Sequence, residues 1–183
     1  MNVSIFRRHQ GHRARVCRLG SVAFAVATFA LQTQAATATA SMGVSATIAS
    51  SCTIFLVADI AFGAYAPTAA NATTPLDADG SLRSVCSAGT SAYITIGQGL
   101  NSAVGSSDDA PVRQLASGAT NRLGYQIYTD GARTSVWANT AGKGSSVTGT
   151  GAQQFLTVSA RIPAGQVVPA GAYADTVAIT ITY

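Results

Sequence analysis

The sequence has 183 residues, of which 48% are hydrophobic and only 10% charged, with a formal charge of +4. Five of its eleven cationic side chains, Arg7, Arg8, Arg13, Arg15 and Arg18, crowd into the first eighteen residues, which hold no acid. Beyond them six Lys and Arg face seven Asp, so no basic patch is left to release counterions from a nucleic-acid backbone, and nucleic acid is not an expected partner.

The basic start is followed by a thirteen-residue apolar run, Leu19 to Leu31, and then by small residues. That order is the pattern of a secretory signal peptide, here assigned to residues 1–36. The run falls short of the about 20 residues a membrane span needs, so a permanent anchor is the weaker reading and stable membrane insertion is not expected. Cleavage fits near Ala35 or Ala36, with Ala38 and Ala40 as alternatives, because Ala-x-Ala recurs there. Cys17 leaves with the signal, and Cys52 and Cys86 remain as one pair for an oxidising compartment to join, two free thiols being the alternative. A disulfide between them closes a loop of roughly 35 residues and removes about 3 to 4 kcal/mol of unfolded-state entropy.

Past the signal the hydrophobic period is two. Val44 to Ile54 alternates, with Met42, Val44, Ala46 and Ile48 on one side. Ile60 and Phe62 follow in DIAFGAY; the Ala-, Thr- and Pro-rich stretch 65–81 reads as a long surface connection; Leu82 to Cys86 and Tyr93 to Ile96 read as short strands. LGYQIY puts Leu123, Tyr125 and Ile127 on one face, SVWA holds Val136 and Trp137, and FLTVSARI aligns Leu156, Val158, Ala160 and Ile162. Pro163, Gly165, Pro169 and Gly171 then break the chain before YADTVAITITY. There Tyr173, Asp175, Val177, Ile179, Ile181 and Tyr183 share one side, and Val177 to Tyr183 is the expected C-terminal core strand. Short strands separated by DADGS, GLNSAVGSSDDAP, TDGAR and AGKGSSVTGTG favour one all-β domain, an antiparallel sandwich over residues 51–183. Both terminal alternations present edge amides and carbonyls in want of a partner, and another copy is a partner at hand.

Chemistry is sparse. His9 and His12 leave with the signal and the sequence holds no Glu, so a Ser-His pair and His-built zinc sites are out of reach; neither enzyme activity, cofactor nor metal is expected. Asp77 with Asp79 and Asp108 with Asp109 invite a paired-carboxylate or calcium reading, but Asp in Gly- and Ser-rich stretches serves turns first. Asp130-Gly131 is likewise a turn signal. Tyr125, Tyr128, Trp137, Phe155 and Tyr173 are the side chains a sugar-binding face would draw on, yet Tyr125 and Tyr128 fall on opposite faces of their strand. NAT at Asn71 matches a short glycosylation acceptor.

Taken in order, the alternating start ending in SATIASSCTI, the early DIAFGAY, the central LGYQIYTDGARTSVWAN and the closing GAYADTVAITITY resemble the spore coat protein U family, which includes the Csu-type pilins of archaic chaperone-usher systems. The resemblance implies an incomplete immunoglobulin-like sandwich, completed by donor-strand exchange. Its partners would be a periplasmic chaperone, an outer-membrane usher and other pilin subunits. The donor maps onto residues 37–50, with Met42, Val44, Ala46 and Ile48 as the inserted side chains. Export through the periplasm to a fibre on the cell surface follows from it, serving attachment or biofilm. A spore or cell-coat protein of the same fold and a carbohydrate-binding adhesin are the alternatives. The family's tip adhesins resemble two such domains in tandem, so one domain implies a shaft or minor subunit.

Overall fold

The computed structural model describes residues 34–183; all but the last three residues of the expected signal peptide lie outside them. The chain divides into two units, Met1–Val44 and Ser45–Tyr183. Residues 34–51 carry no regular secondary structure and every one of them is exposed.

The body is built from eight strands: β1 Cys52–Ala58, β2 Leu76–Cys86, β3 Ser91–Ile96, β4 Arg113–Ser117, β5 Asn121–Tyr128, β6 Ser145–Thr148, β7 Gln153–Ile162 and β8 Ile179–Thr182. Short 3-10 turns at Ala70–Ala72 and Ala141–Lys143 are the only helical elements among the described residues. One sheet has five strands in the order β1-β2-β7-β5-β4, the other three in the order β6-β3-β8. Every ladder is antiparallel. The fold is therefore the expected all-β sandwich, with sheets of unequal width.

Period-two burial explains why these residues pair as they do. Along β5 Leu123, Tyr125 and Ile127 are buried and their neighbours half-buried, and on β7 Val158, Ala160 and Ile162 face the same interior. Ala92, Ile94 and Ile96 of β3 oppose them from the smaller sheet. Trp137 closes the core at 1% exposure, its indole N–H donating to the Ile94 carbonyl at 2.8 Å, which removes the cost of burying that donor.

The structure corrects several expectations. The surface connection assigned to 65–81 ends early, because Leu76 to Ser81 form the first half of β2, a central strand. DADGS is strand, not turn: Asp77 and Asp79 point outward, opposite Arg161 and Ser159, while Gly80 faces inward, where a Cβ would stand 2.9 Å from both Ala58 O and Ile60 Cγ1. Outward carboxylates find cations there. Asp77 accepts from Arg161 at 2.7 Å, and Arg133 reaches Asp79 at 2.8 Å. DIAFGAY forms no strand, SVWA contributes only a bridge between Tyr128 and Val136, β6 arises within a stretch read as a loop, and β4 arises where no element was expected. The strand expected to start at Val44 starts at Cys52: residues 44–50 carry no ladder, and ahead of β1 only the Ser51 carbonyl is held, accepting from the Ser87 amide at 2.9 Å. At the other end the ladder covers Ile179–Thr182 alone, and Tyr183, expected in the core, is 58% exposed.

An apolar cleft beside the narrow sheet

Two strands fewer in the smaller sheet leave part of the five-stranded sheet uncovered. Over it lies an apolar cleft of about 960 Å³ whose floor is Leu82, Leu123, Tyr125, Ile127, Val158 and Ile162. One wall is the segment running from the end of β1 through Ile60 and Phe62 to Tyr65; the other is the C-terminal segment from Val168 to Ile179. On that second wall Tyr173, Asp175, Val177, Ile179 and Ile181 are half-buried while the residues between them are exposed. The expected alternation is present there. What is missing is a cover, and Leu56, on the inward side of β1, stays 59% exposed for want of one.

The walls are held in place by hydrogen bonds within the chain. Tyr65 Oη donates to Pro163 O at 2.9 Å and accepts from the Gln166 amide at 3.0 Å, tying the first wall to the loop after β7. Gln166 in turn bonds both backbone groups of Gly124 on β5, at 2.7 and 2.8 Å. Across the cleft, Ala174 and Ala116 exchange backbone bonds of 3.0 and 2.9 Å, and Tyr173 Oη donates to Pro169 O. Asp175 accepts from Tyr125 Oη at 2.7 Å and from the Asn101 amide at 3.1 Å. Burial pushes the Tyr125 phenol far above its usual range, with its bond to Asp175 adding to the shift, so it stays a donor at any ordinary pH. Gly99, at φ +90°, leaves room for the Asp175 carboxylate, which a side chain at that position would displace.

Arg113 was counted in the sequence only as a charge. It is 1% exposed and donates to the carbonyls of Ile96, Gly97 and Trp137, each at 2.8 Å, and to Gln126 Oε1. Burial lowers its pKa to about 10, so it remains a cation and clamps β4 of the wide sheet to the end of β3 in the narrow one. No sequence signal marks it, since an Arg at a strand start is read by default as solvated.

Two of the four edge strands, β1 and β8, bear on the cleft. β1 pairs only with β2 and β8 only with β3, so each offers one unpaired row of amides and carbonyls. At the root of β1, Cys52 and Cys86 form the disulfide. The four candidate donor side chains are not in any strand; Met42, Val44 and Ile48 are 89%, 90% and 90% exposed. The remaining candidates dissolve into local structure. Asp109 pairs with Lys143, and Asp130 accepts from the Thr134 and Ser135 amides, those bonds holding its carboxyl below the usual range. Asn71 is buried at 5% exposure, with its side chain committed to the Ala66 amide and the Thr74 carbonyl, so the NAT match is closed to modification in the folded state. Among the described residues no cluster of His, Cys, Asp or Glu is placed to hold a metal ion, and no helix is long and apolar enough to cross a membrane.

Comparison with known proteins supplies the context. The profile described as Spore Coat Protein U domain matches residues 38–180. A relative, Protein U of Myxococcus xanthus, is 39% identical over 156 residues, spanning 82% of this chain and 87% of its own length. Among solved structures, the crystal structure of the CsuC–CsuE chaperone–tip adhesion subunit pre-assembly complex from archaic chaperone-usher Csu pili of Acinetobacter baumannii is similar in fold. It has a TM-score of 0.51 at 22% identity, over 75% of this chain and 40% of the matched one.

Proposed function

Because the chain belongs to the spore coat protein U domain family, we propose that it is a structural subunit, shaft or minor, of a surface fibre of the chaperone-usher type. In this reading the alternating segment 37–50 of one copy fills the cleft of the next. The observation that carries it is the pairing of two unmet needs: an apolar cleft flanked by free edges, and an exposed alternating segment with no partner in its own chain. A strand entering the cleft gains main-chain bonds from β8 and buries its alternate side chains, which is β-augmentation. Val44, Ile48 and Met42 each contribute about 1.5 to 3 kcal/mol when fully buried, and Ala46 less. The contact is heterologous, head to tail, and propagates into an open filament.

Before assembly the cleft needs a temporary cover, the role of a periplasmic chaperone, and an outer-membrane usher exchanges that cover for the next subunit. Export through the periplasm, display at the cell surface and a part in attachment or biofilm follow from this assignment. A coat built by the same exchange is the second reading, favoured by the 39% identity to Protein U. Electron microscopy of cells producing the chain with a chaperone and usher tests both. Fibres that vanish in Val44→Asp and Ile48→Asp, while the subunit still accumulates folded on its chaperone, are the expected result. Normal fibres in those variants would overturn the donor assignment, and a fibre-free surface layer would favour the coat.

A further inference from the structure

On the outer face of the wide sheet, turned away from the cleft, Phe55, Arg83 and Phe155 form a straight row across β1, β2 and β7. Adjacent strands stand about 4.8 Å apart, which sets the two phenylalanines about 10 Å apart with the arginine between them. Phe155 is 66% exposed and Phe55 44%. The other aromatic side chains that a sugar-binding face could draw on are spent elsewhere: Tyr125 and Trp137 are buried, Tyr128 is half-buried and Tyr173 lines the cleft.

Arg83 differs from the other cations of the body. Asp77 and Asp79 neutralise Arg161 and Arg133, Asp109 neutralises Lys143, and Arg113 and Arg122 donate to backbone carbonyls. Arg83 meets no carboxylate among the described residues. Its guanidinium lies over the Phe55 ring, 4.5 Å from the ring centre; its one hydrogen bond goes to Gln153 Oε1 at 3.4 Å, and its Nε–H is buried without a partner. A guanidinium carries five donors in a planar fork, so the stack on Phe55 holds that fork in place with most of its donors unspent. The group that such a fork pairs with best is a carboxylate, bidentate.

The rest of the row selects among carboxylate carriers. A pyranose ring presents C–H groups that pack on the negative face of an aromatic ring. An extended polysaccharide laid across the strands therefore meets Phe55 and Phe155 with sugars a disaccharide apart, and a uronate between them faces Arg83. Thr53, Gln153 and Thr157, each two residues along a strand from one of the rings, are exposed and supply hydroxyl and amide partners for sugar hydroxyls. One cation is too few for nucleic acid, whose binding rests on many phosphate contacts. A second copy laid on this row by a two-fold axis sets Arg83 against Arg83, which is repulsive.

We propose that the Phe55–Arg83–Phe155 row binds a carboxylated polysaccharide. The row and the cleft lie on opposite faces of the wide sheet, so filling the cleft leaves the row open, and the site does not depend on what fills the cleft. An assembly that repeats it gains avidity from sites that are weak singly. The test is affinity electrophoresis of the full chain through native gels that contain polygalacturonate, its methyl ester, which keeps the backbone without the charge, or dextran sulfate, which carries charge without a carboxylate. Retardation by polygalacturonate alone is the expected result. Arg83→Gln is expected to weaken it about tenfold or more, and Phe155→Ala about threefold to tenfold. Phe155→Leu, which keeps the bulk and removes the ring, should match Phe155→Ala with an unchanged melting temperature, so that lost binding is separated from lost fold. Arg122→Gln should run as the parent does. No retardation by polygalacturonate, equal retardation by the ester or by dextran sulfate, or parental retardation of the Arg83 and Phe155 variants would each overturn the proposal.

Discussion

Two stretches of this chain carry the same period-two pattern and meet opposite fates. From Tyr173 to Ile181 the odd positions are half-buried, and Ile179–Thr182 join β3 in a ladder; Met42, Val44, Ala46 and Ile48 alternate just as regularly yet form no strand and remain exposed. Alternation specifies which side of a strand is apolar, while a strand exists only where a second edge and a floor receive it. β8 finds both in its own chain. The N-terminal segment finds neither, and the cleft beside β8 has the converse shortage.

That contrast can be broken most strongly at its common root, the disulfide. Removing it with Cys52→Ser/Cys86→Ser is expected to cost about 3 to 4 kcal/mol of body stability by the chain-entropy argument, read as a lower midpoint in denaturant and a smaller exported yield. An unchanged midpoint would show that the β1–β2 ladder alone fixes the start of β1. Next in size is a matched pair of truncations. Ile181→Ala, in a side chain that packs on the disulfide cluster, should cost about 2 kcal/mol of unfolding free energy, whereas Ile48→Ala should leave the isolated subunit's unfolding untouched and weaken only assembly. Equal losses in both would erase the distinction drawn here. Of similar size, Gly80→Ala puts a methyl against Ala58 O and Ile60 Cγ1; a loss of about 1 to 3 kcal/mol is expected, with a parallel loss of assembly because the Ile60 wall shifts.

The smallest effect is electrostatic. The hydrogen bond from Arg161, with the nearby Arg133, holds the Asp77 carboxyl below its ordinary value. A carboxylate with a depressed folded pKa supplies stability above its unfolded pKa, near 4, and loses it as pH falls through the folded value. Acid titration from about pH 5 to about pH 2 should therefore loosen the Asp77–Arg161 contact on the outer face, and Asp77→Asn should flatten that part of the profile.

Much of the fold was legible because β5 and β7 alternate, with Leu123, Tyr125 and Ile127 and with Leu156, Val158, Ala160 and Ile162 on one phase, and each strand is central to the wide sheet with one face on the core. β2 was half hidden for an identifiable reason. Asp and Gly are turn residues in isolation, but here Asp77 and Asp79 face cations on the outer surface, and Gly80 makes way for the chain at Ala58 and Ile60. Arg113 was unreadable, because its burial depends on four acceptors, from the end of β3 and Gly97 just after it, from β5 and from Trp137, which only the packed sandwich assembles.

By itself the sequence determined the all-β class, the alternation at both ends and the scarcity of catalytic side chains, and it narrowed the partners of Cys52 to Cys86 if Cys17 belongs to the expected signal peptide, with free thiols as the alternative. These are properties of composition and of short-range period, which a linear chain displays in full. Only the tertiary structure decided that the sheets have five and three strands, that the gap between them is an apolar cleft, and that both ends of the strand framework share one end of the sandwich. Those depend on which edges meet across long separations, and edge pairing is settled by the competition among all strands at once rather than by the pattern of any one of them.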